Sequence, residues 1–192
     1  MVGDCGTNMA MVARNPRKPR PPLDAAKLEE MALGYVSRFA TSQAKLLSYL
    51  QRKLRERGWS GQAEPALQEL ADRLVRLGYV DDRAFALSKA RSLTGRGYGS
   101  RRVRQALSQA GIGDEDGAHA RDLAEAEAVE SALRFARRRS FGPFASRAPD
   151  PRHRERALAA MIRAGHGFGL ARAIIDLNPG DIPDYDELVN VR

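Results

Sequence analysis

A single cysteine in 192 residues, Cys5, excludes an internal disulfide and a zinc cluster built on thiolates. β-Branched residues are scarce as well: 9 Val, 5 Ile and 3 Thr stand against 30 Ala, a balance that starves strands and suits helices. Aromatic residues make up 6% of the chain, with Trp59 the only tryptophan. Binding of single strands by stacking needs exposed aromatics in series. Tyr35, Phe39, Tyr79 and Phe85 fall instead at helical core spacing or beside caps, so a dedicated single-strand binder is not expected. No apolar run approaches the roughly 20 residues of a membrane-spanning helix. Met1 to Pro22 also lacks the apolar core of a signal peptide, which makes the cytoplasm the expected compartment and a membrane an unexpected partner. The three histidines, His119, His153 and His166, follow no HExxH-type spacing and are expected at the surface or at caps. Neither a metal nor any other cofactor is expected, and Cys5 falls on an expected disordered tail where nothing would orient a base, so it is not expected to serve as a nucleophile.

The chain does have positive charge and helical periodicity. Its 32 Lys and Arg against 24 Asp and Glu give a formal charge of +8, which favours an acidic partner such as nucleic acid or an acidic protein surface. Arg14, Arg17, Lys18 and Arg20 lie among prolines, and residues 1–26 are expected to form a disordered basic tail. Leu28, Met31, Tyr35 and Phe39 share a helical face, as do Leu67, Leu70, Leu74 and Leu77, and similar stripes continue to Ile175. Nine helices fit. Stop signals recur as a Leu or Met followed four residues later by Gly, at Leu54/Gly58, Leu74/Gly78, Leu107/Gly111 and Met161/Gly165. Ser42, Asp81, Ser100 and Asp150 are expected as N-caps, and Pro65 and Pro151 at first helical positions.

Gly58, Gly111 and Gly165 are spaced by 53 and 54 residues, each closing the middle helix of a group of three. The spacing predicts an all-α chain of tandem three-helix repeats in an elongated curved array; a single irregular bundle is the alternative. The expected units are residues 27–80, 81–127 and 128–178, followed by an acidic tail over 179–192. Charge alternates along them. Residues 84–113 carry six basic and no acidic side chains, residues 113–130 carry seven acidic against Arg121, and residues 131–163 carry nine arginines against Asp150 and Glu155.

Enzymatic readings lack parts. Asp81 and Asp82 directly precede a helix, where carboxylates cap amides and face the positive end of the dipole. Gly95-Arg96-Gly97-Tyr98-Gly99 lacks the Lys-Ser/Thr of a phosphate loop and follows no strand, so it reads as an inter-helix turn. Gly165 to Gly169 also joins two helices, with Phe168 expected in the core. The binding candidates are the arginines. Arg101, Arg102 and Arg104 open a short helix, where side chains and first-turn amides can meet an anion together, although a solvated helix face would look the same. Arg137, Arg138 and Arg139 end another helix, where they also complement its dipole. Arg96 stands in the glycine turn between two helices.

Gly78-Tyr79-Val80-Asp81-Asp82-Arg83-Ala84-Phe85-Ala86, followed by Arg96-Gly97-Tyr98-Gly99-Ser100-Arg101-Arg102-Val103-Arg104-Gln105-Ala106-Leu107 and Gly111-Ile112, closely resembles the central signature of the RecX regulatory proteins of bacteria. Gly78, Asp81, Asp82, Phe85, Ala86, Gly97, Gly99, Leu107 and Gly111 carry the likeness. Ala32 to Trp59 resembles the family's first repeat and Arg163 to Leu177 its last; the first repeat has Ala44-Lys45 where the family often carries an acidic residue. The resemblance implies three tandem three-helix repeats and a non-enzymatic, monomeric modulator that lies in the groove of the RecA nucleoprotein filament. Such a protein dampens ATP hydrolysis, strand exchange and coprotease activity in recombination and the SOS response, with at most weak non-specific DNA contact. Arg96, Arg101, Arg102, Arg104, Arg137, Arg138 and Arg139 are then the expected filament or DNA contacts. The rival physical reading is a helix-turn-helix transcriptional regulator with Arg101 to Arg104 on its recognition helix.

Overall fold

The computed structural model describes residues 21–148 and 150–191; Cys5 and the basic segment up to residue 20 lie outside the described residues. Among the described residues there are ten α-helices, one 3-10 turn and no strand. They are α1 (Ala25–Val36), α2 (Gln43–Arg57), α3 (Leu67–Arg76), α4 (Asp82–Gly95), α5 (Ser100–Gln109), α6 (Asp114–Ala126), α7 (Ala128–Arg139), α8 (Pro151–Arg163), α9 (Phe168–Asp176) and α10 (Tyr185–Asn190), with the 3-10 turn at Gly142–Phe144 between α7 and α8. No helix among them is long and apolar enough to cross a membrane.

The apolar stripes bury into three separate cores, one for each successive helix triplet. Leu28, Leu46, Leu50 and Leu74 fill the first, Ala86, Ala90, Val103 and Leu107 lie in the second, and Val129, Met161, Leu170 and Ile174 in the third. The second core is rich in alanine: Ala86 and Ala90 of α4 share it with Ala120 and Ala124 of α6, and side chains this small let the two helices lie close along their length. Each middle helix ends on a glycine of positive φ: Gly58 at +79°, Gly111 at +70° and Gly165 at +97°. Backbone bonds close these ends, Gly58 N to Leu54 O at 2.8 Å, Ile112 N to Leu107 O at 3.1 Å and His166 N to Met161 O at 3.2 Å.

Capping follows the sequence in part. Ser42, Asp81 and Asp150 accept from Lys45 N, Ala84 N and His153 N, and Pro151 takes the first helical position. Ser100 is instead the first residue of α5, and Gly99 before it offers no side-chain cap. Pro65 stands ahead of Ala66, the N-cap of α3.

Four further expectations are corrected. The fold begins before residue 27: Leu23 is fully buried and pairs with the end of α2, Leu23 N to Gly58 O at 3.0 Å, while Asp24 caps α1. Residues 179–192 are not simply a tail, because Asp184 caps α10 and Leu188 is buried in the third core. α1 stops at Val36, which turns Phe39 out to 55% exposure. Before α9, His166 is buried at 2% exposure, while Phe168, the first residue of α9, is exposed at 52%, the reverse of the expectation.

Candidate functional site

The residues of the central motif build the two junctions between helix triplets. At the first junction, Asp81 caps α4 while Asp82 Oδ1 accepts from Gln43 N of α2 at 2.8 Å. Burial raises the Asp82 pKa from its ordinary value, outweighing the Gln43 bond, and the nearby Asp116 and Asp81 charges raise it further. Ser42 Oγ donates to Ala110 O, at the end of α5, at 2.5 Å, and Lys45 Nζ sits 5.1 Å from the centre of the Phe85 ring. Gly111 lies so near Ala44 that an added Cβ would fall 2.3 Å from the Ala44 Cβ. Gly78, with φ of +75°, turns the chain from α3 toward Asp81, and Ala86 and Leu107 are buried beneath.

At the second junction a glycine turn meets a glycine turn. Gly99 N donates to Ala164 O at 3.0 Å and Arg101 N to Gly165 O at 3.2 Å, so the start of α5 bonds to the end of α8. His166 Nε2 donates to Gly97 O at 3.1 Å, and its ring lies 5.6 Å from that of Phe135. A Cβ on Gly99 would come within 2.4 Å of Gly165 O, and one on Gly97 within 3.0 Å of Phe135 N. Only glycine permits this backbone-to-backbone approach. Tyr98 packs on both the second and third cores. The Gly95–Gly99 turn is therefore a structural joint between triplets.

Arginines surround the second joint. Arg138 donates to the Arg96 carbonyl and lies over Phe135, 5.4 Å from its centre, while the Arg96 guanidinium lies 5.4 Å from the Tyr98 ring. Arg101 and Arg102 stand on the exposed surface of α5, with the Arg102 backbone packed against Gly165 and its side chain bonded to Gln105 at 2.8 Å. Arg104, one turn after Arg101 on α5, pairs with Glu125 of α6 at 2.9 Å. Arg137 and Arg139 turn toward the 3-10 turn, 4.9 Å from Phe144 and 5.8 Å from Phe141. Arg139 also lines a cleft of about 470 Å³ with Arg147 and Arg154, floored in part by Ala157 and Ile175. The structure thus brings Arg96, Arg101, Arg102 and Arg138 to one joint and sets Arg104, Arg137 and Arg139 around it.

The acidic helix α6 compensates its neighbours. Arg83 pairs with Glu115 and, at 2.9 Å, with Asp116; the Asp116 hydrogen bond and these two charges raise the Arg83 pKa. Within α7, Arg134 pairs with Glu130 one turn earlier. Among the described residues, Arg96, Arg101, Arg102, Arg137, Arg138 and Arg139 have no carboxylate within ion-pair distance. Six exposed guanidiniums around a rigid joint suit phosphate or carboxylate oxygens. Sequence reasoning missed His166: a lone histidine between two glycines carries no periodic signal of burial.

A family model described as RecX, second three-helix domain, matches residues 81–120, the stretch that runs from the first joint through the second. The regulatory protein RecX of Myxococcus xanthus is 36% identical over 177 residues, covering 86% of this chain and 92% of its own length. That of Thermus thermophilus is 32% identical over 144 residues, 74% of this chain and 87% of its own. The crystal structure of RecX from Lactobacillus salivarius superposes with a TM-score of 0.57 at 21% identity, over 79% of this chain and 94% of that one, and so shares the fold.

Proposed function

This chain belongs to the RecX family of regulatory proteins, and from that premise we propose that it binds the RecA nucleoprotein filament and inhibits ATP hydrolysis, strand exchange and coprotease activity. It acts by contact across filament subunits rather than by catalysis. The three helix triplets, with α10 docked on the third, serve as successive docking modules of a cytoplasmic monomer, acting in recombination and SOS repair. The observation that carries the reading is the second joint, where glycine-to-glycine packing fixes the angle between triplets and six arginines without carboxylate partners ring the outside.

A rigid array with fixed cations can bridge repeating acidic sites on a polymer, because the cost of orienting the modules is met in folding. Arg96, Arg101, Arg102 and Arg138 at the joint are the first contacts; Arg104, Arg137 and Arg139 extend them. Replacing Arg101, Arg102 and Arg104 together by Glu is expected to weaken filament binding and inhibition at least tenfold with unchanged far-UV circular dichroism. Undiminished inhibition by this variant removes these residues from the interface. The helix-turn-helix alternative requires sequence-specific duplex binding without RecA, which the same binding assay would reveal.

A further inference from the structure

Where α1 ends, the backbone folds back on itself: Arg38 N and Phe39 N both donate to Tyr35 O, at 3.2 and 3.1 Å. This places the Phe39 ring 5.4 Å from that of Tyr35 and tilted 48° to it, while Tyr35 in turn stacks on Tyr49 of α2 at 4.2 Å and 12°. The Arg52 guanidinium lies 5.7 Å and the Lys53 ammonium 6.0 Å from the Tyr49 ring. Three rings and a guanidinium thus form a ladder across the first triplet. Tyr35 and Tyr49 pack on the first core. Phe39, at the open end, is 55% exposed. Arg38, held beside the ladder by its Nε bond to Gly34 O at 2.8 Å, has no carboxylate partner among the described residues, and Glu56 offsets one of the two charges of Arg52 and Lys53.

We infer that this ladder is a stacking site for an unpaired nucleobase, with Phe39 offering its free face and Arg38 and Arg52 meeting the flanking phosphates. One exposed aromatic face flanked by cations is what an unpaired base can stack on, whereas duplex bases are already stacked and present only their edges. Tyr35 takes the core position its spacing predicts, but Phe39 does not, because α1 stops three residues short of it. The inference needs no RecA and stands or falls independently of the filament reading.

The test is fluorescence anisotropy of the full chain with a labelled 20-nucleotide oligo-dT and with a hairpin duplex, alongside emission of a 2-aminopurine placed in the single strand. Phe39→Ala and Phe39→Leu are each expected to weaken single-strand binding about tenfold and to abolish the 2-aminopurine quench, while Phe39→Trp keeps both. Arg38→Ala is expected to lower the salt slope by about one phosphate contact. Duplex binding stays unchanged in the Phe39 variants. Wild-type single-strand affinity in Phe39→Ala, an equal loss on duplex, or a Phe39→Leu variant that binds like wild type and so reports a merely apolar protein-docking patch would each overturn the inference, as would failure of the wild-type chain to bind the oligonucleotide.

Discussion

The imidazole of His166 donates from Nε2 to the Gly97 carbonyl oxygen at 3.1 Å, across 69 positions of chain. Its other nitrogen, Nδ1, is buried without a partner. A proton on Nδ1 would create a buried cation with nothing to accept its hydrogen, so burial depresses the His166 pKa from 6.5 to about 4, the Gly97 bond opposing only in part.

This sets a pH dependence on the second joint. The folded pKa lies below the unfolded one, so the unfolded chain binds more protons between pH 6.5 and 4. Stability from the neutral imidazole is therefore complete above pH 6.5 and lost as pH falls toward 4, by about 3 kcal/mol in all. Urea denaturation at pH 7 and pH 4.5 is expected to show the loss in wild type and most of it gone in His166→Gln. An unchanged pH slope in the variant would place the titration elsewhere.

Gly99→Ala is expected to cost about 3 kcal/mol, because the new Cβ meets the Gly165 backbone at 2.4 Å and neither chain can yield without breaking the Gly99 to Ala164 bond. Gly113→Ala meets nothing within 4 Å and is expected to stay within roughly 0.5 kcal/mol of wild type. Paired thermal melts check both. Equal melting points for the two variants would mean the joint is loose.

Ser42→Ala removes the α2 cap and the bond to Ala110, which ties the first triplet to the second. A loss of about 1 to 2 kcal/mol in chemical denaturation is expected. Added hydrogen-exchange at Ala110 and the start of α4, with the third triplet unaffected, would locate the damage at the first joint.

The helical class and the array were legible because leucine stripes and cap glycines are local signals: Gly58, Gly111 and Gly165 mark their turns within four residues. The meaning of the joint glycines was not legible. Gly97 and Gly99 read only as an inter-helix turn, since the Phe135 and Gly165 backbones they meet are distant in sequence. Leu188 and Leu23 were missed because one apolar side chain among prolines or carboxylates has no period, and its burial depends on tertiary docking. The arginines were found by charge, but which are ion-paired was not: Arg104 answers to Glu125 on another helix, while Arg101 does not.

The most direct test of the central claim is RecA's single-strand-dependent ATP hydrolysis with this protein added well below the RecA concentration. Inhibition at that ratio, lost on reversal of Arg101, Arg102 and Arg104, is the predicted result. Full ATP turnover even at equimolar protein, together with tight, sequence-dependent binding to duplex DNA alone, would contradict it.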